Sequence, residues 1–291
     1  MTTTSANFDA GKRRRKANIL SPAEGLSELG APLARARKTK ERMYCTARPP
    51  EPHGGRRGVS PRFEAFVKSH DWRSKNAVDI GCGTGAATVL LAKLGARAVG
   101  VDIDPLALSD ATERVEEERV TGVRFVCADA EAIDYRVLFG GAPLGGAVAH
   151  LCFSEEIARR ASNAIAAGGA FVIRAFHKDM WKEAGRLSEF ARSAPQMRTL
   201  LTALGFRVVR ITVERRQQKF ASFEEFIEKF LHDPHRRARW EEDGRIATLS
   251  RAFARGERKL SEAFLVVNAV KRERAHPKKV QKRAKSRAAR R

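Results

Sequence analysis

Val78-Asp79-Ile80-Gly81-Cys82-Gly83-Thr84-Gly85, followed by Val99-Gly100-Val101-Asp102-Ile103-Asp104-Pro105, decides the fold of this 291-residue chain. The first stretch is an apolar run that breaks into alternating glycines and then into an Ala/Leu-rich segment. That order predicts a buried strand, a tight turn and a helix. The second stretch is another apolar run, ending in a carboxylate 17 positions beyond Gly85. Glycines in such a turn let the backbone approach a ligand that a side chain would strike. An acid at the tip of the next strand can accept hydrogen bonds from two ribose hydroxyls. Together they predict a site for a cofactor with an adenosine head.

Gly81-Cys82-Gly83-Thr84-Gly85-Ala86 also fits a loose dinucleotide fingerprint. Three details point elsewhere, to S-adenosylmethionine. Gly85 follows Gly83 after one spacer residue rather than two. Asp79 lies inside the first strand, where a carboxylate can face a ligand ammonium group, and burying it without a partner would be costly. Asp104-Pro105 opens a helix directly after the second strand, with Pro105 at a favourable first-turn position.

On these residues the chain resembles the class I S-adenosylmethionine-dependent methyltransferases, in a form similar to methyltransferase type 11. Asp79 to Gly85 looks like their first motif and Val101 to Pro105 like their second. Phe125-Val126-Cys127-Ala128-Asp129-Ala130 is similar to the segment after their third strand. The resemblance covers roughly residues 60–271. It implies that Asp79, Gly81, Gly83 and Gly85 sit at the methionine end of the cofactor. It places Asp102 and Ile103 at the ribose, and Asp129 with Ala130 near adenine. The motifs are specific for the cofactor and say little about the methyl acceptor.

Strand and helix signals alternate from residue 61 to about 176, which argues for a parallel sheet covered by helices on both faces. Strands are expected near 76–81, 98–103, 123–128, 147–153 and 170–176. Helices are expected from Pro61 to Trp72, from Thr84 to Leu94, from Pro105 to Arg119, and from Ser154 up to Gly168-Gly169. A helical region spans 180–204, and strands six and seven fall at Phe206–Val213 and Ala263–Val270. Related folds pair these last two strands through a short connection. Here about 50 residues intervene, with helical apolar spacing in Phe223–Phe230 and Ile246–Phe253. The expected fold class is α/β, a seven-stranded Rossmann-like methyltransferase sheet with helices on both faces. It carries a helical insertion between its last two strands, and its basic termini are disordered.

Charge marks the domain limits. Residues 1–60 hold 13 Lys/Arg against 5 Asp/Glu, and residues 271–291 hold 11 against 1. The intervening 61–270 hold 32 against 28. The formal net charge of +22 therefore sits mostly at the two ends. Blocks of like charge with few apolar residues self-repel and resist packing. This divides the chain into a basic, largely disordered extension (1–55), a methyltransferase domain (56–271) and a disordered basic tail (272–291). Ser21-Pro22-Ala23-Glu24 reads as a capping box for a short helix within the extension. Basic ends attract phosphates, so nucleic acid is one partner class to consider. No apolar run is long enough to span a membrane, and no secretory leader is apparent. Cys45, Cys82, Cys127 and Cys152 are far apart and form no C-x-x-C pair, so neither a zinc site nor a disulfide framework is expected. The expected location is cytoplasmic.

Methyl transfer is a direct displacement, and it needs alignment and exclusion of water more than a dedicated catalytic side chain. Where a base is required, His177 is the first choice. It follows strand five in Arg174-Ala175-Phe176-His177-Lys178-Asp179-Met180-Trp181. Trp181 could stack on a flat or cationic acceptor, so His177 and Trp181 are the expected substrate residues. His150, inside strand four, ranks below His177. The Asn/Asp-Pro-Pro-aromatic motif of enzymes that methylate base amines is absent; Leu151-Cys152-Phe153-Ser154 stands in its place. That absence, the near-neutral centre and the helical insertion favour a small-molecule acceptor. An RNA or ribosome-associated methyltransferase that holds phosphates with its basic ends is the alternative. A non-catalytic binding module is the third reading.

Overall fold

The protein, described by a computed structural model, is defined for residues 19–20 and 58–273. Seven long strands form one sheet, and a two-residue strand, β1 (Ile19–Leu20), adds to its edge. The others are β2 (Asn76–Ile80), β3 (Arg97–Asp102), β4 (Val123–Cys127), β5 (Leu144–His150), β6 (Ile165–Phe176), β7 (Phe206–Lys219) and β8 (Lys259–Lys271). Their order is β1-β4-β3-β2-β5-β6-β8-β7. Every pairing is parallel except those of β8, which runs antiparallel to both β6 and β7. Ile19–Leu20 pairs with Phe125 and Val126, so the N-terminal extension, expected to be largely disordered, contributes a strand. The rest of that extension up to residue 57, with the Ser21-Pro22 capping box, lies outside the described residues, as does the tail beyond 273.

Helices cover both faces. α1 (Pro61–Lys68) and α2 (Ala86–Lys93) lie on one side, where Phe63, Val67 and Leu91 meet Ala77, Val148, Val172 and Val266. α3 (Pro105–Glu117) packs beside α2 through Leu108, Ala111 and Val115 around Phe125. α4 (Glu155–Ala164) and α5 (Ala194–Ala203) cover the opposite face, where Ile157, Ala161, Met197 and Leu201 meet Val78, Ile80, Phe171 and Val267. With both faces covered, all five residues of β2 are buried, as a central parallel strand requires. The caps read from the sequence are present. The Asp104 side chain accepts from the Leu106 amide ahead of α3, and Ser154 accepts from the Ile157 amide ahead of α4.

Four departures from the sequence reading have a physical reason visible in the local packing. α1 stops at Lys68, and Trp72 instead folds back to donate its indole N–H to the Val67 carbonyl at 2.7 Å. α4 ends at Ala164, not at Gly168-Gly169; those glycines lie within β6, where the pairing with β5 slips and Gly168 takes φ +78°. Gly145 and Gly146, ahead of the strand expected near 147–153, belong to β5. A Cβ on Gly146 would come within 2.8 Å of the Trp72 ring and 2.7 Å of the Ala170 carbonyl. The helical region expected over 180–204 is helical only from Ala194, where Ser193 and Gln196 form a reciprocal capping box.

The β7–β8 hairpin sets the position of the insertion. β6 ends at Phe176, opposite Phe264, but β7 and β8 continue pairing to Lys219–Lys259. Residues 259–263 therefore overhang β6 by about 17 Å at ~3.4 Å per residue. The overhang projects from the sheet edge where the parallel strands end. Helices α6 (Phe223–Phe230), α7 (Pro234–Glu242) and α8 (Arg245–Ala254) cap it. They share a second core of Phe220, Phe226, Phe230, Trp240, Leu249 and Phe253.

Candidate functional site

The loops after β2, β3 and β4 meet at the C-terminal edge of the sheet, and Asp102 ties them together. Its Oδ2 accepts the Gly83 amide at 2.7 Å, and its Oδ1 accepts the Asp104 amide at 3.0 Å. Its main-chain carbonyl accepts the Ala128 amide at 2.9 Å. A carboxylate oxygen has two lone pairs, so each keeps capacity for a further donor. Burial raises the Asp102 pKa, and the amide donors oppose that rise.

Gly81, Gly83 and Gly85 all have positive φ, at +65°, +50° and +77°. Two are packed from behind. A Cβ on Gly81 would collide with Cys152, and one on Gly85 would lie 2.9 Å from the Ala111 Cβ. Gly83 faces open space, with nothing within 4 Å of such a Cβ. The turn is thus close-packed at its ends and bare in its middle, where a ligand would approach.

Asp79 is 1% exposed, on the strand face that turns toward α2. Thr88, in the first turn of α2, donates its hydroxyl to Asp79 Oδ2 at 2.6 Å. Asp79 Oδ1 is buried and has no hydrogen-bond partner among the described residues. Burial pushes the Asp79 pKa up to about 7, with the Asp102 charge adding to it and Thr88 opposing. An orphaned buried carboxylate oxygen on the strand that leads into a bare glycine turn fits a cofactor that brings an ammonium group. At the other end of the site, Asp129 Oδ1 accepts the Glu131 amide, and the Ala130 carbonyl accepts the Tyr135 hydroxyl at 2.6 Å. Ile103 is half-buried between these ends.

The two expected substrate residues lie farther along the edge. His177 is buried, and its main chain bridges to Arg192 and to the Ala263 carbonyl. Burial lowers its pKa, so the imidazole is neutral near pH 7. Nδ1 accepts the Asp179 amide at 3.1 Å, which leaves the proton on Nε2; Asp179 Oδ2 stands 3.3 Å from Nδ1. Ala175, two residues earlier, faces the α4–α5 core, so His177 leaves the sheet on the side opposite Asp79. Trp181 packs among Phe176, Phe230 and Trp240, with ring centroids 5.1–5.8 Å apart. Its indole N–H is buried with no partner among the described residues. The structure brings the residues expected to hold the cofactor to one edge of the sheet and places Trp181 at the root of the insertion core.

His150 stands nearer the glycine turn. It ends β5, the strand beside β2, and meets the edge of Phe63 at 4.8 Å. Its Nε2 accepts the Ser60 amide at 3.4 Å. Burial, with the Arg174 charge, holds its pKa down to about 4.

Three features were not legible in the sequence. Thr88 is one. Leu151 is another: it takes φ +67° while 45% exposed at the end of β5, a strained backbone of the kind that gathers at binding sites. The third is a cavity of about 310 Å³ lined by Glu131, Phe153, Ser154, Glu155, Phe190 and Arg192. It opens next to Ala130, at the expected adenine end, and Asp79 does not line it. Of these, Thr88 had a signal: a first-turn helix residue after a βα turn faces back toward the strand.

Comparison with known proteins agrees with this geometry. The profile of a family described as "Methyltransferase domain" matches residues 73–226. Over 76 residues the chain is 38% identical to a ubiquinone biosynthesis O-methyltransferase of Methylococcus capsulatus, covering 26% of this chain and 32% of that protein. Over 53 residues it is 42% identical to a ribosomal protein L11 methyltransferase of Edwardsiella ictaluri, covering 18% of each. The chain thus spans about a third or less of the length of these curated relatives. Among solved structures, the YcgJ protein of Bacillus subtilis superposes with a TM-score of 0.55 at 16% identity, over 73% of this chain and 99% of that one. Identity this low shows a shared fold.

Proposed function

The chain belongs to the methyltransferase-domain family, whose members draw on S-adenosylmethionine, and from that premise we propose that it transfers the cofactor's methyl group to a small-molecule acceptor. The observation that carries the reading is Asp79 Oδ1, a buried carboxylate oxygen with no partner among the described residues, on the strand that leads into the glycine turn. In this reading Asp79 takes the cofactor ammonium, and Gly81, Gly83 and Gly85 admit the methionine end. Asp102 and Ile103 hold the ribose, and Asp129 with Ala130 holds the adenine. Bound there, the cofactor supplies an electrophilic methyl group; the protein aligns the acceptor and keeps water away.

A small-molecule acceptor is supported by the insertion at the ligand edge. Insertions at that edge commonly build substrate pockets. His177 enters the proposal as a pocket residue at the root of the insertion. To act as a base through Nδ1 it would have to release the Asp179 amide, so its contribution is read from His177→Ala. Loss of turnover with unchanged cofactor affinity supports the role, and unchanged turnover removes it.

A second reading has its own observation. Residues 190–213 contain four arginines and no acid, and Arg198, Arg207 and Arg210 from this run are exposed around the start of β7. The chain leaves β8 through Lys271–Arg272 beside Phe206, and residues 274–291 add nine basic residues and no acid. An RNA acceptor would find phosphate contacts there. Incubation with methyl-labelled S-adenosylmethionine and a cell extract, fractionated into small molecules, RNA and protein, tests both readings. Label in the small-molecule fraction, lost in Asp102→Ala, supports the proposal. Label in RNA that disappears with the tail replaces it with the second reading.

A further inference from the structure

We propose that Thr88 is a positioning residue for cofactor recognition, holding Asp79 with one oxygen bonded and the other aimed at the cofactor's ammonium group. The inference rests on the reading of Asp79 above and assigns a task to a residue outside the glycine motif.

Thr88 is fully buried, in the first turn of α2, three residues past Gly85. A buried threonine hydroxyl needs a partner, and this one donates to Asp79 Oδ2 at 2.6 Å, a length typical of a hydroxyl bonded to a carboxylate. The hydroxyl is the only side-chain donor that Asp79 has among the described residues. The other ionisable groups around Asp79 give no help. Asp102 repels it from β3, while Cys82 on the turn and Cys152 after β5 are thiols whose pKa burial raises. No cation faces it. The contact therefore does two things. It selects one orientation of the carboxylate, and it supports the ionised form that a ligand ammonium requires. Because α2 begins at the end of the glycine turn, the same helix that closes the turn also orients the acid.

The test compares two ligands, both adenosine thioethers. S-adenosylhomocysteine carries the amino-acid ammonium and carboxylate; 5′-methylthioadenosine lacks both. Dissociation constants are measured by calorimetry for the wild type, Thr88→Val, Thr88→Ser and Asp79→Asn. Removing a hydrogen bond to a charged group is expected to weaken S-adenosylhomocysteine binding in Thr88→Val by about tenfold or more. Binding of 5′-methylthioadenosine should change by less than about twofold, which also shows that the variant is folded. Thr88→Ser, which restores the hydroxyl, should return to within about threefold of the wild type. The loss of S-adenosylhomocysteine affinity at acid pH should begin at higher pH in Thr88→Val than in the wild type. Equal weakening of both ligands would mean that Thr88 only supports the turn, and no weakening of either would mean that it does nothing; each overturns the inference. Asp79→Asn separates the premise from the inference. Failure to discriminate between the ligands in Asp79→Asn overturns the reading of Asp79 itself. Discrimination there, without it in Thr88→Val, overturns only the role of Thr88.

Discussion

Asp79 is buried with one oxygen satisfied, and that arrangement has a thermodynamic signature. Its pKa of about 7 in the folded chain lies above the ordinary value of 3.8, so the folded state holds a proton that the unfolded state has released. Stability from this group is full below the unfolded pKa and falls as pH rises toward 7. At pH 8 the cofactor-free protein then carries a strain of a few kcal/mol, at ~1.4 kcal/mol per pKa unit. Asp79→Asn is therefore expected to raise the melting temperature of the cofactor-free protein at pH 8 and to change it little at pH 4. S-adenosylhomocysteine affinity of the wild type should run the other way, rising as pH increases through 7 and the carboxylate ionises. Parallel melting and calorimetric pH series check both signs. The glycines make a second pair of expectations. Gly85→Ala meets Ala111 as well as an unfavourable φ and should destabilise by more than the ~1–2 kcal/mol that a left-handed backbone costs an L-residue. Gly83→Ala, facing open space, should cost about that strain alone while cofactor binding falls steeply. Chemical denaturation beside calorimetry separates the two. These residues were legible in the sequence because each motif position answers a local demand, a positive φ or a strand tip. Thr88 and the strained Leu151 were not, since their neighbours come from other elements.

At the scale of elements, the insertion behaves as a second small core joined to the sheet by a hairpin overhang. Phe226 is fully buried in it, touching the rings of Phe220, Phe223, Phe230, Trp240 and Phe253. Phe226→Ala is expected to cost about 3–5 kcal/mol of packing, confined to this unit. Hydrogen exchange should then show lost protection in α6 to α8 and near-native protection in β2 to β5. Trp181 offers a sharper distinction. Its indole N–H has no partner among the described residues, while its ring makes three aromatic contacts. Trp181→Phe keeps most of the ring contact and removes an unsatisfied donor, so stability should stay within about 1 kcal/mol of the wild type. If Trp181 also stacks on the acceptor, KM rises with the melting temperature unchanged. If it serves only the insertion core, neither moves. Helical periodicity in Phe223–Phe230 foretold α6, but the length of β7 and β8 was hidden. Arg215, Arg216 and Gln217 carry no strand alternation, and they pair because the hairpin extends beyond the sheet.

Charge is the property of the whole molecule. Residues 58–205, which hold the loops after β2, β3 and β4, carry 18 basic and 18 acidic residues; residues 206–273 carry 16 and 11. The positive surplus of the described residues therefore belongs to the β7–β8 hairpin and its insertion, not to the loops after β2, β3 and β4. β7 is the sheet's outer strand, and arginines on an edge also discourage pairing with another chain. The two uses of this charge separate experimentally. Arg207→Glu with Arg210→Glu should leave methyl transfer to a small molecule within about twofold in moderate salt, since both residues lie far along the strand from Phe176. Under the RNA reading the same change should weaken RNA binding strongly and flatten its dependence on salt by about one unit of log–log slope per lost phosphate contact. Titration with a labelled RNA at several salt concentrations checks this. Among the described residues, no helix is long and apolar enough to cross a membrane, and no three His, Cys, Asp or Glu residues cluster to hold a metal.

The sequence by itself determined the α/β class, the glycine turn and the existence of an insertion. Those follow from local period, from glycines at turns and from caps, all of which act over a few residues of chain. Only the tertiary structure decided that Asp102 bonds the turns on both sides of it, that Asp79 is left half-satisfied beside Thr88, and that His177 leaves the opposite face of the sheet. Those are consequences of which strands become neighbours and in what register. Register is set by burial summed over the whole sheet, because a one-residue slip would carry every side chain of a strand to the opposite face, against the wrong helices.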